Sequence, residues 1–132
     1  MDEVKLPIFS EVDIVAARQR GKAMGSTLGF STSELTLIAT AISEIARNIV
    51  TYAREGEISF SIIGAGAKRG LLIVAKDEGP GIADVSLALQ DGYSTNKSLG
   101  LGLPGAKRLM DEFEIDTEVG KGTVIKMVKW KR

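Results

Sequence analysis

The 132-residue chain contains neither cysteine nor histidine. The first absence removes disulfides, thiol catalysis and cysteine-ligated metals. The second removes imidazole as base, nucleophile, metal ligand or phosphoacceptor, so a catalytic base must be a carboxylate, a lysine or a tyrosine. An excess of one charge is lacking too, since 17 Lys and Arg balance 17 Asp and Glu. A global field that would draw in nucleic acid or an anionic membrane is therefore not expected. The basic run Lys126-Met-Val-Lys129-Trp-Lys131-Arg132 reads as the solvated end of a strand. No apolar run approaches membrane-spanning length, and the acidic start is not followed by the apolar stretch of a signal peptide. The expectation is a cytoplasmic protein with neither nucleic acid nor membrane as a partner.

The residues that are present suit one domain over 1–132, with 44% hydrophobic and 26% charged residues to build a core and keep it soluble. Residues 3–9 read as a short edge strand, because Pro7 lacks a donor. Ser10 caps a helix from Glu11 to about Leu28, with Val12, Val15, Ala16, Ala23 and Leu28 among its apolar positions, and Gly29 closes it. Ser31 and Glu34 have capping-box spacing and open a second helix to about Arg54, with Gly56 as the stop. Leu35, Ile38, Ala41, Ile42, Ile45, Ile49 and Val50 give that helix a wide apolar surface. Residues 57–65 alternate as a strand, and 64–70 read as a hairpin loop. The continuous apolar run 71–75 predicts a strand covered on both faces or nearly so. A short helix at about 84–90, a polar mobile loop at 91–100 and a helix from Leu103 to about Phe113 follow, with Pro104 in the first turn. A hairpin of 115–119 and 123–130 closes the chain. The order predicts an α/β two-layer sandwich, with a mixed, mostly antiparallel sheet covered on one face by helices.

Three short patterns carry the chemistry. Glu44 and Asn48 are four apart on the second helix and share a face, with Thr40 and Thr51 extending the polar stripe. Polar groups in a buried stripe need partners, which a ligand in a cleft supplies. Magnesium takes oxygen ligands and keeps waters beside substrate phosphates, so one Asn48 carbonyl oxygen suffices on the protein side. Glu44, outside the coordination shell, is then placed to accept a proton. A solvated helix face explains the same pair more plainly. Asp77-x-Gly79-x-Gly81 follows the apolar strand, where a fixed carboxylate accepts from an exocyclic amine and glycines let a flat base approach, although the same residues also make an ordinary turn. Gly100-Leu101-Gly102-Leu103 opens a helix whose unpaired N–H groups suit phosphates, with Lys97 and Lys107 near enough in sequence to assist.

Together these residues resemble the Bergerat-type nucleotide site of the GHKL superfamily of gyrase, Hsp90, histidine kinase and MutL. Glu44 and Asn48 match its N-box, Asp77, Gly79 and Gly81 its G1 box, and Gly100 and Gly102 its G2 box. Gly122-Thr123 matches the Gly-Thr pair that helps hold adenine. The resemblance covers essentially the whole chain and implies ATP on the helical face, Mg2+ at Asn48, Glu44 as catalytic base and an ATP lid at 82–99. The chain runs out soon after Thr123, so a transducer domain is not expected, and without histidine a self-contained histidine kinase is not expected either. The segments 11–19, 41–48 and 102–113 are similar to the stand-alone serine/threonine switch kinases of the stressosome, and Arg47, where a smaller residue is common elsewhere in the superfamily, agrees with that branch. This resemblance implies phosphorylation of STAS-domain scaffold and antagonist proteins of the RsbS and RsbR types. A released kinase would then activate a downstream regulator such as a PP2C-type phosphatase. The alternatives are an anti-sigma-factor kinase that sequesters a sigma factor, a nucleotide-binding adaptor without catalysis, and an α/β domain whose glycine turns are purely structural.

Overall fold

Two serines and the residues three positions after them set the helix layer. In the computed structural model, which describes residues 3–79 and 102–131, Ser10 is extended and the Asp13 carboxylate accepts from the backbone N–H groups of Phe9 at 3.0 Å and Ser10 at 3.1 Å. Helix α1 (Glu11–Leu28) starts there and ends at Gly29, whose φ of 93° is the left-handed conformation glycine adopts without strain. Helix α2 (Thr32–Asn48) opens on a reciprocal capping box: the Glu34 N–H donates to Ser31 Oγ at 3.1 Å, and the Ser31 N–H donates to Glu34 Oε1 at 2.9 Å. The backbone donor at Ser31 is the main reason that the Glu34 carboxyl is held below its ordinary pKa.

Strands β1 (Val4–Ile8), β2 (Gly56–Ala65), β3 (Lys68–Asp77), β4 (Glu112–Glu118) and β5 (Gly122–Lys131) form one sheet in the order β1-β2-β3-β5-β4. Every pairing among the described residues is antiparallel. Pro7 lies on the edge strand β1, where its missing donor costs no ladder bond. One sheet face carries Ile8, Ile58, Phe60, Leu71, Ile73, Ala75, Ile125 and Met127 into a shared core with Ile14, Ile38, Ile42, Ile45 and Ile49 of the helix layer. Helix α3 (Gly102–Leu109) packs against α2 and adds Leu103 and Ala106 to that core. This is the α/β two-layer arrangement expected, with helices on one face.

Several expectations give way to tertiary context. The buried line of α1 is Ile14, Ala17, Gly21 and Gly25, whereas Val12 is 75% exposed and Val15, Ala16 and Ala23 are exposed as well. Gly21 and Gly25 let α1 lie close against Ile42 and Leu35 of α2, so the face that packs is not the one rich in large apolar residues. The second helix changes to a π-helical turn at Ile49–Ala53 and stops at Arg54, with φ of 73°; Gly56 instead begins β2. The 64–70 loop shrinks to a turn at 66–67, because β2 and β3 keep pairing to Ala65 and Lys68. Leu72 and Val74 of the 71–75 run point away from the core and are half-buried, so β3 is helix-covered on one face only. Helix α3 ends at Leu109 rather than near Phe113, because β5 captures the next residues: the Trp130 N–H donates to Asp111 Oδ2 at 2.7 Å and Trp130 Nε1–H to Glu112 Oε2 at 2.6 Å. The expected helix at 84–90, loop at 91–100 and lid at 82–99 lie outside the described residues.

Candidate functional site

One row of the sheet differs from those beside it. Antiparallel register aligns Ile8, Gly56, Asp77, Thr123 and Thr117 across all five strands. Two residues further along, the row is Ile58, Ala75, Ile125 and Ile115, and the next is Phe60, Ile73, Met127 and Phe113. Side chains two apart share a face, so Asp77, Thr123 and Thr117 stand on the helix-facing side where the apolar core gives out. Thr123 is 6% exposed and Asp77 is half-buried.

Each polar group in the row is fixed by the chain around it. Asp77 Oδ1 accepts the Gly79 N–H at 2.9 Å, a short turn that sets the carboxylate's orientation. Gly79 has to lack a side chain, since a Cβ there would fall 2.6 Å from Ala53 Cβ and 2.8 Å from Ala53 Cα. Gly122 combines a φ of 113° with contact against the Asp77 carbonyl, so β5 approaches β3 more closely here than any other residue would permit. Thr117 Oγ1 lies 3.0 Å from the Gly122 carbonyl oxygen and 2.9 Å from Thr123 Oγ1.

The end of α2 lies over this row. A Cβ on Gly56 would meet Ile49 Cγ2 at 3.0 Å and Asp77 Cβ at 3.1 Å, so the first residue of the π-helical turn lies over the row, and its last residue, Ala53, lies against Gly79 just beyond Asp77. Asn48 is the residue before that turn, and Glu44 lies one helical turn earlier on the same face; both are half-buried. The wider turn of a π-helix shifts the register of its own residues, which takes the exposed Thr51 off the regular α-helical face. Thr40 donates its hydroxyl to the Thr36 carbonyl at 2.9 Å, so it is satisfied within the helix. Arg47 forms an exposed 3.0 Å ion pair with Glu11, tying the last turn of α2 to the first turn of α1.

The structure therefore brings Asp77, Gly79 and Thr123 together under the end of α2 that carries Asn48 and Glu44. Gly102 is the first residue of α3, and Leu103 is buried beside α2. Lys107 is exposed on α3. Gly81, Lys97, Gly100 and Leu101 lie outside the described residues. Thr117 carries no motif in the sequence; its place in this row comes from register, opposite Thr123 across the closing turn. Among the described residues no group of three or more Asp or Glu side chains gathers as a metal cage. No helix among the described residues is long and apolar enough to cross a membrane.

Residues 10–129 match the family model of the histidine kinase-like ATPase domain, and the chain belongs to that family. Within it, the chain falls with the RsbT-type serine/threonine-protein kinases, which use ATP: it is 49% identical to the serine/threonine-protein kinase RsbT of Bacillus subtilis over 131 residues, 99% of this chain and 98% of that one. An anti-sigma F factor of Caldanaerobacter subterraneus is 33% identical over 86% of this chain and 82% of its own length, so the sigma-directed alternative fits only distantly. The RsbU and RsbW domains of a Mycobacterium tuberculosis protein align over the whole chain and 34% of theirs, with a TM-score of 0.66 at 16% identity. The mycobacterial sensor histidine kinase MprB aligns over 99% of this chain and 97% of its own, with a TM-score of 0.58 at 15% identity. These two share the fold.

Proposed function

We propose that residues 1–132 act as one cytoplasmic kinase domain that transfers the ATP γ-phosphate to a serine or threonine of STAS-domain stressosome proteins of the RsbS and RsbR types. The released kinase then activates a downstream regulator such as a PP2C-type phosphatase. The observation that carries this reading is the polar row Asp77–Thr123–Thr117 lying under the end of α2 that bears Glu44 and Asn48. The 49% identity to a serine/threonine-protein kinase over nearly the whole chain supports the same reading.

Asp77 accepts from the adenine amino group, and Thr123 lies beside it in the same row. Gly79 and Gly81 admit the base, while Gly100, Leu101, Gly102 and Leu103 hold the phosphates through the N-terminus of α3, with Lys97 adding positive charge. Asn48 would offer one neutral oxygen to a Mg2+ ion entering with the nucleotide, which would supply neutralisation of phosphate charge. Glu44 takes the proton from the acceptor hydroxyl as its oxygen bonds to the γ-phosphorus and the bond to the β–γ bridging oxygen breaks, leaving ADP. With no imidazole in the chain, that carboxylate is the base best placed for the task. Catalysis otherwise rests on in-line positioning and charge neutralisation.

The direct test is phosphate transfer from radiolabelled ATP to a STAS-domain protein, with a sigma factor offered in parallel. Transfer to a STAS serine or threonine is expected. Binding of the sigma factor alone, with no transfer, would sink the reading.

A further inference from the structure

We infer that the exposed face of α2 is the docking surface for the acceptor protein, with Leu37 as its apolar anchor and Glu44 at its reacting end. The inference rests on the reading of this chain as a kinase for a protein hydroxyl, and it deepens that reading by naming a residue that selects the acceptor.

Leu37 departs from the pattern of its own helix. Ile38, Ala39, Ala41 and Ile42 are buried and Leu35 packs against the core, whereas Leu37 is 36% exposed and stands outside that core. Helical geometry gives the reason. Leu35, Ile38 and Ile42 face Gly21 and Gly25 of α1. Leu37 comes two residues after Leu35 and points about 200° around the helix from it, toward solvent. Glu44 comes two full turns after Leu37 on the same face, about 10.5 Å further along the axis. Thr40 lies between them. It donates its hydroxyl to the Thr36 carbonyl at 2.9 Å, and Thr36 donates to the Thr32 carbonyl at 3.0 Å. Those hydroxyl hydrogens are spent within the helix, so the stripe Leu37–Thr40–Glu44 offers a partner an apolar contact at Leu37 rather than a donor at Thr40.

A protein hydroxyl cannot reach Glu44 alone, because the fold that carries it arrives with it. A specific protein–protein contact covers about 800 Å² on each partner, a disc of roughly 16 Å radius. A footprint centred on Glu44 therefore includes Leu37. Binding energy in such a contact concentrates in a few well-packed anchors near its centre, with polar contacts around them. Among the described residues, Leu37 is the one large apolar side chain that α2 exposes. The fitting acceptor is a protein that carries an apolar side chain about 10 Å from its accepting serine or threonine, the spacing of two helical turns. Phe9, Val12 and Val15 are exposed too, but they belong to α1 and the residues leading into it, and they supply the comparison in the test.

The experiment measures phosphate transfer from ATP by the full chain while the concentration of a STAS-domain acceptor is varied, in wild type, Leu37→Ala, Leu37→Gln, Leu37→Met and Val12→Ala. Leu37→Ala and Leu37→Gln are each expected to raise the KM for the acceptor about tenfold, with kcat, the KM for ATP and the melting temperature unchanged. Leu37→Met keeps an apolar side chain of similar volume and should stay within about twofold of wild type, and Val12→Ala should leave the acceptor KM where it is. An acceptor KM that moves in neither Leu37→Ala nor Leu37→Gln overturns the inference. A loss that falls on kcat or on the KM for ATP overturns it as well, since Leu37 would then serve the nucleotide site or the fold. A rise in Val12→Ala without one in the Leu37 variants puts docking on α1 and contradicts it too. Absence of transfer by the wild type is a separate result that removes the kinase reading itself, whereas transfer with an unmoved KM removes the docking inference alone.

Discussion

At one end of the β3–β5 pair, Gly70 lies against the Trp130 ring, where a Cβ would meet Cε3 at 2.8 Å; Lys68 Nζ stands 4.6 Å from the ring centroid. The Trp130 indole N–H donates to Glu112, and its backbone N–H donates to Asp111. At the other end, Gly79 and Gly122 press close to Asp77, and Thr123 is tied to Thr117. Both ends use glycine, carboxylate and a closely packed partner strand. At the Trp130 end the two donors meet carboxylates from the same chain, and the result is a clamp that pulls residues 111–112 out of helix and into the sheet. At the Asp77 end the carboxylate accepts from Gly79 and Thr123 is tied to Thr117, and this polar row faces the helix layer where the apolar core gives out. The difference lies in position rather than in residue type: the Trp130 end closes a corner of the sheet, and the Asp77 end sets polar side chains under the end of α2, where nucleotide binding is proposed.

The largest expected effect separates chemistry from binding at the Asp77 end. Glu44→Ala should lower phosphate transfer to a STAS-domain protein by on the order of 10²–10⁴-fold, the range for a lost general base, while ATP still raises the melting temperature as in wild type. Transfer at the wild-type rate would remove Glu44 from the mechanism. Trp130→Ala should break the other end instead, costing about 2–3 kcal/mol of stability in urea unfolding while leaving ATP affinity within twofold. A large loss of affinity would mean that the two ends are coupled. Gly79→Val tests the close approach to Ala53: its Cβ has no room beside Ala53, so about 1–3 kcal/mol of stability and most ATP binding should go together. Ser31→Ala is the smallest perturbation, about 1 kcal/mol from a lost cap, with no change at either end.

Glu34 adds a pH dependence to that cap. Its folded carboxyl is held below its ordinary value, so its contribution is present above the unfolded pKa and is lost as pH falls through the lower folded value. Thermal melts of wild type and Glu34→Gln should therefore converge as the solution is acidified below the ordinary glutamate range.

The contrast between local and distant partners also separates what was legible in the sequence from what was not. Caps are local: Ser10 and the pair Ser31 with Glu34 mark the two helix starts, and the structure keeps them. The end of α3 was not legible, because Trp130, 18 and 19 residues further on, supplies the donors that end it. The buried face of α1 was hidden because Gly21 and Gly25 carry no hydrophobic signal. Asn48 read as one position in a continuous helix, and the π-helical turn that follows it, with Ile49 near Gly56 and Ala53 against Gly79, is not encoded by helical periodicity. Asp77 and Thr123 were readable as motif residues, but that they share a row with Thr117 comes only from register.

The Asp77 carboxylate is the group proposed to hold the base of the nucleotide. Calorimetric titration of Mg-ATP into the Asp77→Asn variant tests it most directly, since the substitution keeps the shape of the side chain and turns one acceptor into a donor. No measurable binding heat, with the melting temperature of the nucleotide-free protein unchanged, is the predicted result. Wild-type affinity in that variant would contradict the account.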